Sequence, residues 1–203
     1  VDDVNAYWLT EYNFDGYRFD LSKGFTQQNN PNDVGAWSAY DQSRVDILTR
    51  MAEQIWTVDP DTYVILEHFA DGSEEEALAA EGMLLWGNYN FTFRDLLSGQ
   101  NTTANLNGLQ RLSHVNYMES HDEERLLYET NENGQSLNGY DTKELTTGLN
   151  RSKLGAAFFF TIPGPKMLWQ FQELGYDIDI NLNGRTGEKP LVWGPNSLNY
   201  YGD

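Results

Sequence analysis

The chain has 203 residues, 39% of them hydrophobic and 22% charged, as expected for one soluble globular domain or a large part of one. Acidic residues outnumber basic ones 31 to 13, so the formal charge of -18 repels a nucleic-acid backbone or an anionic membrane surface and leaves neutral or cationic partners. With no cysteine there is no disulfide, thiolate nucleophile or cysteine metal site, and no run approaches the roughly 20 apolar residues of a membrane span.

In chain order, Val4, Tyr7, Trp8 and Tyr12 recur at helical spacing until Asn13-Phe14-Asp15-Gly16 breaks the pattern, and a short strand is predicted over Gly16 to Leu21. Tyr40, Val45, Leu48, Met51 and Ile55 predict a helix over residues 38 to 57, with Ser38 as its N-cap and Asp59-Pro60-Asp61 as its stop. The β-rich run Tyr63-Val64-Ile65-Leu66 reads as a buried strand ending in Glu67. The order then repeats. An acidic helix is predicted near Glu74 to Glu81, a strand over Met83 to Trp86, a helix from Thr92 to Ser98 and a strand near Val115 to Met118. A polar loop over Asn131 to Asp141 precedes a last helix, Leu149 to Phe160, and a strand, Lys166 to Trp169.

Strands alternating with helices point to parallel βα units. Five strands do not close an eight-stranded barrel, so the pattern fits either a doubly wound open sheet or the later strands of a barrel. The opening Val1-Asp2-Asp3-Val4 is neither a signal peptide nor an initiating methionine, and the chain is expected to be part of something longer.

Ionisable residues gather at the strand ends: Asp20 closes Tyr17-Arg18-Phe19-Asp20, Glu67 closes its strand, and His121-Asp122 follow Asn116-Tyr117-Met118-Glu119-Ser120. In a βα barrel the carboxy ends of parallel strands meet at the face where the active site is built. Carboxylates gathered there suit retaining glycoside hydrolysis, in which an ionised carboxylate attacks the anomeric carbon and a protonated one, roughly 5 Å away, serves the leaving oxygen. Asp20, two residues from Arg18, suits the ionised role; Glu67, at the end of an apolar strand, suits the protonated one. The competing reading is of ordinary strand-end acids that cap helices or pair with bases. The aromatic content of 14% serves a core and a sugar-binding cleft equally well.

At these residues the chain resembles the alpha-amylase family of glycoside hydrolases. Asp15-Gly16-Tyr17-Arg18-Phe19-Asp20-Leu21-Ser22-Lys23 resembles the family's nucleophile motif, Val64-Ile65-Leu66-Glu67 its acid/base strand, and Tyr117-Met118-Glu119-Ser120-His121-Asp122 the segment of its third acid. Ile162-Pro163-Gly164-Pro165 with Lys166 to Glu173 is similar to its last-strand motif. The resemblance implies a TIM (β/α)₈ barrel of which residues 1–203 supply strands four to eight, the amino-terminal part being absent. It implies a hydrolase of alpha-linked glucans such as starch, glycogen or maltodextrin, with Asp20 as nucleophile, Glu67 as general acid/base and Asp122 stabilising the transition state. Arg18 would orient Asp20, while His121, Lys23 and Trp86, with Asn88 and Tyr89 as weaker candidates, would line the substrate cleft. Gly24 stands where the family usually has His, and Ser120 where Asn is common, which leaves the leaving-group preference open.

A transglycosylase or branching enzyme on the same barrel, and a non-catalytic glycan-binding relative, are the alternatives. No metal ligands are assigned: calcium would be held through parts of the enzyme outside this chain. The acidic stretch Asp71, Glu74, Glu75 and Glu76 is read as a solvated helix start favoured by the helix dipole. A polysaccharide or oligosaccharide is the expected partner, and export to the periplasm or medium follows from that function alone. Strand edges left bare by a partial barrel predict that the isolated piece is unstable or aggregation-prone.

Overall fold

The chain is described by a computed structural model for residues 1–100 and 103–192, and its internal contacts divide it into two units. The first comprises residues 1–86 with 113–115; the second takes 87–112 and the remainder from 116.

In the first unit, helix α1 (Asp2–Tyr12) ends where Asn13 turns into the left-handed region, at φ 55, and returns its N–H to the Leu9 carbonyl. Strand β1 (Gly16–Phe19) follows and pairs in parallel with β2 (Tyr63–Leu66), from Gly16 opposite Tyr63 to Phe19 opposite Leu66. Gly16 is obligatory, because a Cβ there would lie 2.6 Å from the Tyr63 carbonyl oxygen. Between the two strands run a 3-10 turn at Ser22–Gly24, the short helix α2 (Val34–Ser38) and the long helix α3 (Gln42–Val58). The helix predicted from residue 38 therefore starts instead at Gln42, after a separate short helix that lies almost wholly before the predicted one. Ala39 is extended, at ψ 161, and ends α2; Asp41, whose carboxylate accepts the Ser43 N–H, caps α3 in place of Ser38.

Helix α4 (Gly72–Ala80) leads to β3 (Leu84–Asn88), which adds to β2 in parallel through Ile65 opposite Leu84 and Leu66 opposite Leu85. Val45, Leu48, Met51, Ala52 and Ile55 place one face of α3 on Val64, Leu66, Leu78, Met83 and Leu85 in a single core. Each such side chain contributes roughly 1.5–3 kcal/mol by leaving water.

Strands β3 and β4 (His114–Tyr117) each pass from the first unit into the second. In the second unit, α5 (Asn90–Ser98), α6 (Leu126–Asn133) and α7 (Leu145–Thr161) pack around Phe93, Leu97, Leu109, Met118, Leu126 and Phe159, with the Phe93 and Phe159 rings edge to face at 5.5 Å. The polar stretch predicted as a loop holds the end of α6 and a hairpin, β5 (Ser136–Leu137) with β6 (Tyr140–Asp141). Its turn residues, Asn138 and Gly139, both have positive φ, the Asn-Gly signature of a tight hairpin. Helix α7 begins four residues before the predicted start. The stretch Leu145-Thr146-Thr147-Gly148 is a poor helix former by propensity, yet Gly148 packs against Leu127, and tertiary burial overrides it. Strand β7 (Lys166–Met167), shorter than predicted, pairs in parallel with β4 through Asn116 opposite Lys166 and Tyr117 opposite Met167.

The pairings β1 with β2, β2 with β3 and β4 with β7 are all parallel, and helices separate the successive strands, which is the (β/α)₈ pattern with five of its eight strands present. No helix among the described residues is long and apolar enough to cross a membrane.

Candidate active site

The carboxy ends of β1 and β2 bring Arg18, Asp20 and Glu67 together. Arg18 and Asp20 sit two residues apart and share one face of the strand. Arg18 Nη1 donates to Asp20 Oδ1 at 2.9 Å, and Nη2 stands 3.2 Å from Glu67 Oε1 as an ion-pair contact. The two acids differ in exposure: the Asp20 side chain is 74% accessible, the Glu67 side chain 14%. Glu67 is further fixed by its other oxygen, Oε2, which accepts the Leu21 N–H at 2.8 Å. To deliver that N–H, Leu21 adopts φ 46 and ψ 45, a left-handed conformation uncommon for a residue with a side chain.

Trp86, at the end of β3, is 8% exposed, and its ring lies 5.0 Å from the Arg18 guanidinium carbon. It therefore packs the core and covers Arg18 at once. Lys23 points elsewhere: its Nζ lies 3.3 Å from Ser38 Oγ, 3.4 Å from the Phe69 carbonyl and 5.7 Å from the Trp37 ring centroid. The same indole stands 3.6 Å from where a Cβ on Gly24 would be.

Beneath these acids lies a dry polar cluster that the sequence did not announce. Glu74 is fully buried and accepts hydrogen bonds from Arg44 Nε and Nη2, at 2.5 and 2.8 Å, and from the Asp41 N–H at 2.7 Å. Its Oε1 also lies 2.6 Å from His68 Nε2. Burial alone would raise the Glu74 carboxyl, but Arg44, the Asp41 N–H and His68 together hold it below the usual range. Burial pushes the His68 imidazole down, against the pull of Glu74. Arg44 spends its remaining donors on the carbonyls of Lys23, Trp37 and Ala39. The acidic stretch is thus not uniformly solvated: Asp71 caps α4 from an exposed position, whereas Glu74 is core. Among the described residues no group of three or more His, Asp or Glu side chains is placed to hold a metal ion.

In the second unit, His121 and Asp122 follow β4 with His121 Nε2 3.1 Å from Asp122 Oδ2, both about half exposed. Arg185 reaches them from the loop after β7, donating to the Asp122 carbonyl and lying 3.5 Å from Oδ1. The Trp169 ring lies 5.8 Å from that of His121, and both line a cavity of about 310 Å³ with Arg185 and Lys189. Ser120 anchors the segment by donating to Glu123 and accepting the Asp122 N–H at 3.1 Å. Glu123 also accepts from Asn88 and from the Tyr117 hydroxyl, so Asn88 braces this turn. The Tyr89 hydroxyl is turned to Gly108, and burial raises it.

Glu119 is buried, accepting from Arg125 Nη1 at 2.9 Å and from the Leu126 N–H at 2.8 Å. Burial pushes its carboxyl up, against the pull of Arg125 and of that N–H. Arg185, Glu123, Arg44 and His68 all escape the sequence reading, which takes Glu74 for part of a solvated helix start. The one available signal is Arg44, a charge on the same helical stripe as Leu48, Met51 and Ile55.

Residues 1–190 match the family model described as alpha amylase, catalytic domain. Among solved structures, apo pullulanase from Klebsiella pneumoniae superimposes with a TM-score of 0.58 at 15% identity, covering 86% of this chain and 24% of that one. A Klebsiella pneumoniae pullulanase complexed with maltotriose gives 0.59 and 15%, over 86% of this chain and 21% of the other. Eubacterium rectale Amy13B gives 0.59 at 16%, over 86% and 33%. The chain thus spans about a quarter of the pullulanases' length. A search of curated proteins returns no match. With an ordered set of strand-end acids, a parallel βα series and a family match over nearly its whole length, the chain belongs to the alpha-amylase catalytic-domain family.

Proposed function

We propose that the protein is a retaining glycoside hydrolase of alpha-linked glucans, with Asp20 as nucleophile, Glu67 as general acid/base and Asp122 as the third acid. The observation that carries this is the arrangement of Arg18, Asp20 and Glu67. Two acids follow adjacent parallel strands and face one guanidinium, Asp20 largely exposed and Glu67 sheltered and fixed by a backbone N–H.

In the first step Asp20 Oδ bonds to the anomeric carbon as the glycosidic C–O bond breaks, and the Glu67 proton goes to the leaving oxygen. In the second, water gives a proton to Glu67 and its oxygen to the anomeric carbon, and Asp20 leaves as carboxylate. Arg18 orients Asp20 through its 2.9 Å hydrogen bond; His121 and Asp122 hold hydroxyls of the reacting sugar. The maltotriose complex of a Klebsiella pneumoniae pullulanase, a structural neighbour, supports an alpha-glucan as substrate.

Asp20→Asn and Glu67→Gln in the full-length enzyme test the roles. Each is expected to lower maltodextrin turnover by about 10²–10⁴ or more, and proton NMR of the first product formed is expected to show the alpha anomer. Unchanged turnover in either variant, or a beta anomer, removes the assignment; products longer than the substrate move it to glycosyl transfer.

A further inference from the structure

We infer that Glu74, His68 and Ser22 form a buried positioning relay that holds Glu67 in place, and that these residues act on the reaction through Glu67 without touching substrate. The inference rests on the acid/base role proposed for Glu67.

The relay is continuous in the geometry. Glu74 is locked by Arg44 and the Asp41 N–H, and its Oε1 faces His68 Nε2 at 2.6 Å. A carboxylate oxygen only accepts, so Nε2 carries the hydrogen and the neutral ring presents Nδ1 as an acceptor. Ser22 Oγ lies 2.9 Å from Nδ1 and 2.9 Å from the Glu67 carbonyl oxygen, and its single hydrogen serves these two acceptors alternately, so the link from the serine to Glu67 is kept by the backbone N–H. The Ser22 N–H donates to the same carbonyl at 2.9 Å, while the Glu67 N–H returns to the Phe19 carbonyl at 3.0 Å. Leu21, adjacent to Ser22, supplies the N–H that holds the Glu67 carboxylate. Ser22, His68 and Glu74 are at most 1% exposed, and Arg44 also holds the Lys23 carbonyl, so the relay fixes both the bend after β1 and the end of β2.

This is more than the protein needs to satisfy a buried histidine. His68 follows the candidate acid directly, and its two ring nitrogens join the α4 carboxylate to the serine that grips the acid's own backbone. A group that must transfer a proton in the transition state loses rate when displaced by a fraction of an ångström.

Ser22→Ala and His68→Gln remove the Ser22–His68 bond from opposite sides, the glutamine retaining a donor for Glu74. In the full-length enzyme each is expected to lower kcat on maltodextrin by about tenfold to hundredfold with KM little changed. The double variant is expected to fall no further than the worse single one, because both break one chain. Turnover of alpha-maltosyl fluoride with added azide, a route needing neither an acid for the leaving group nor a base for water, should stay within about twofold. A parallel loss on both substrates, additive losses, or no loss on maltodextrin overturns the relay. Should Ser22→Ala fail to fold, Ser22→Cys keeps the volume with a weak donor and carries the same measurement. Glu67→Gln measured alongside separates the two levels. If it is inactive on maltodextrin while the relay variants are unaffected, only the relay fails; if it is fully active, the acid/base reading and the relay fall together.

Discussion

Glu74 in the first unit and Glu119 in the second are both buried glutamates facing a buried arginine, yet burial wins at one and loses at the other. Glu74 receives both Arg44 nitrogens, the Asp41 N–H and His68, and its carboxyl is held down. Glu119 receives one Arg125 nitrogen and the Leu126 N–H, and its carboxyl is pushed up. A buried arginine alone does not decide whether a glutamate stays ionised; the full set of donors around both oxygens does.

The comparison is broken or sharpened by a graded series. The largest effect is expected for Arg44→Ala, which strands the Glu74 charge in the core and should cost about 3–5 kcal/mol in urea unfolding. Glu74→Gln, which keeps the shape and loses the charge, should cost less, about 2 kcal/mol. Glu119→Gln should cost at most about 1 kcal/mol, since burial already works against the charged form there; equal losses for the two glutamines would end the distinction. Smallest is Arg185→Ala, within about 0.5 kcal/mol because its contact with Asp122 is exposed.

The two glutamates also predict opposite pH dependences. A carboxyl lowered in the folded state contributes stability above its unfolded value and loses it as pH falls through the folded value. The gap between wild type and Glu74→Gln should therefore narrow on acidification below about pH 4.5, the ordinary value for Glu. A raised carboxyl does the reverse: the Glu119 contribution is present below its unfolded value and disappears as pH rises through the folded one, so the gap to Glu119→Gln should widen on acidification. His68, lowered by burial, adds to the acid loss from about pH 6.5 downward, a component that His68→Gln should abolish. Chemical unfolding at a series of pH values reads all three.

The sequence made the strands that carry the candidate acids legible for a physical reason. A parallel strand in this fold is largely apolar, so Val64 to Leu66, with Val64 and Leu66 buried, and the ionisable residue that ends them stand out. The ordered motifs then singled out Asp20, Glu67 and Asp122 as the candidate acids, and Arg18 does stand beside Asp20. Glu74 was misread because a carboxylate in the first turn of a helix is usually solvated, and its partner Arg44 lies 30 positions earlier in sequence. Helix α6 escaped because it is eight residues long and starts after Arg125, which makes no side-chain cap. The late start of the helix predicted over residues 38 to 57 turned on whether Ser38 or Asp41 caps, two plausible residues three positions apart. The hairpin at Asn138-Gly139 carried a signal that the surrounding polarity concealed.

Leu21 sits in a backbone conformation that glycine would occupy without strain. Leu21→Gly would therefore ease the folded state locally while loosening the unfolded chain and freeing the peptide whose N–H grips Glu67.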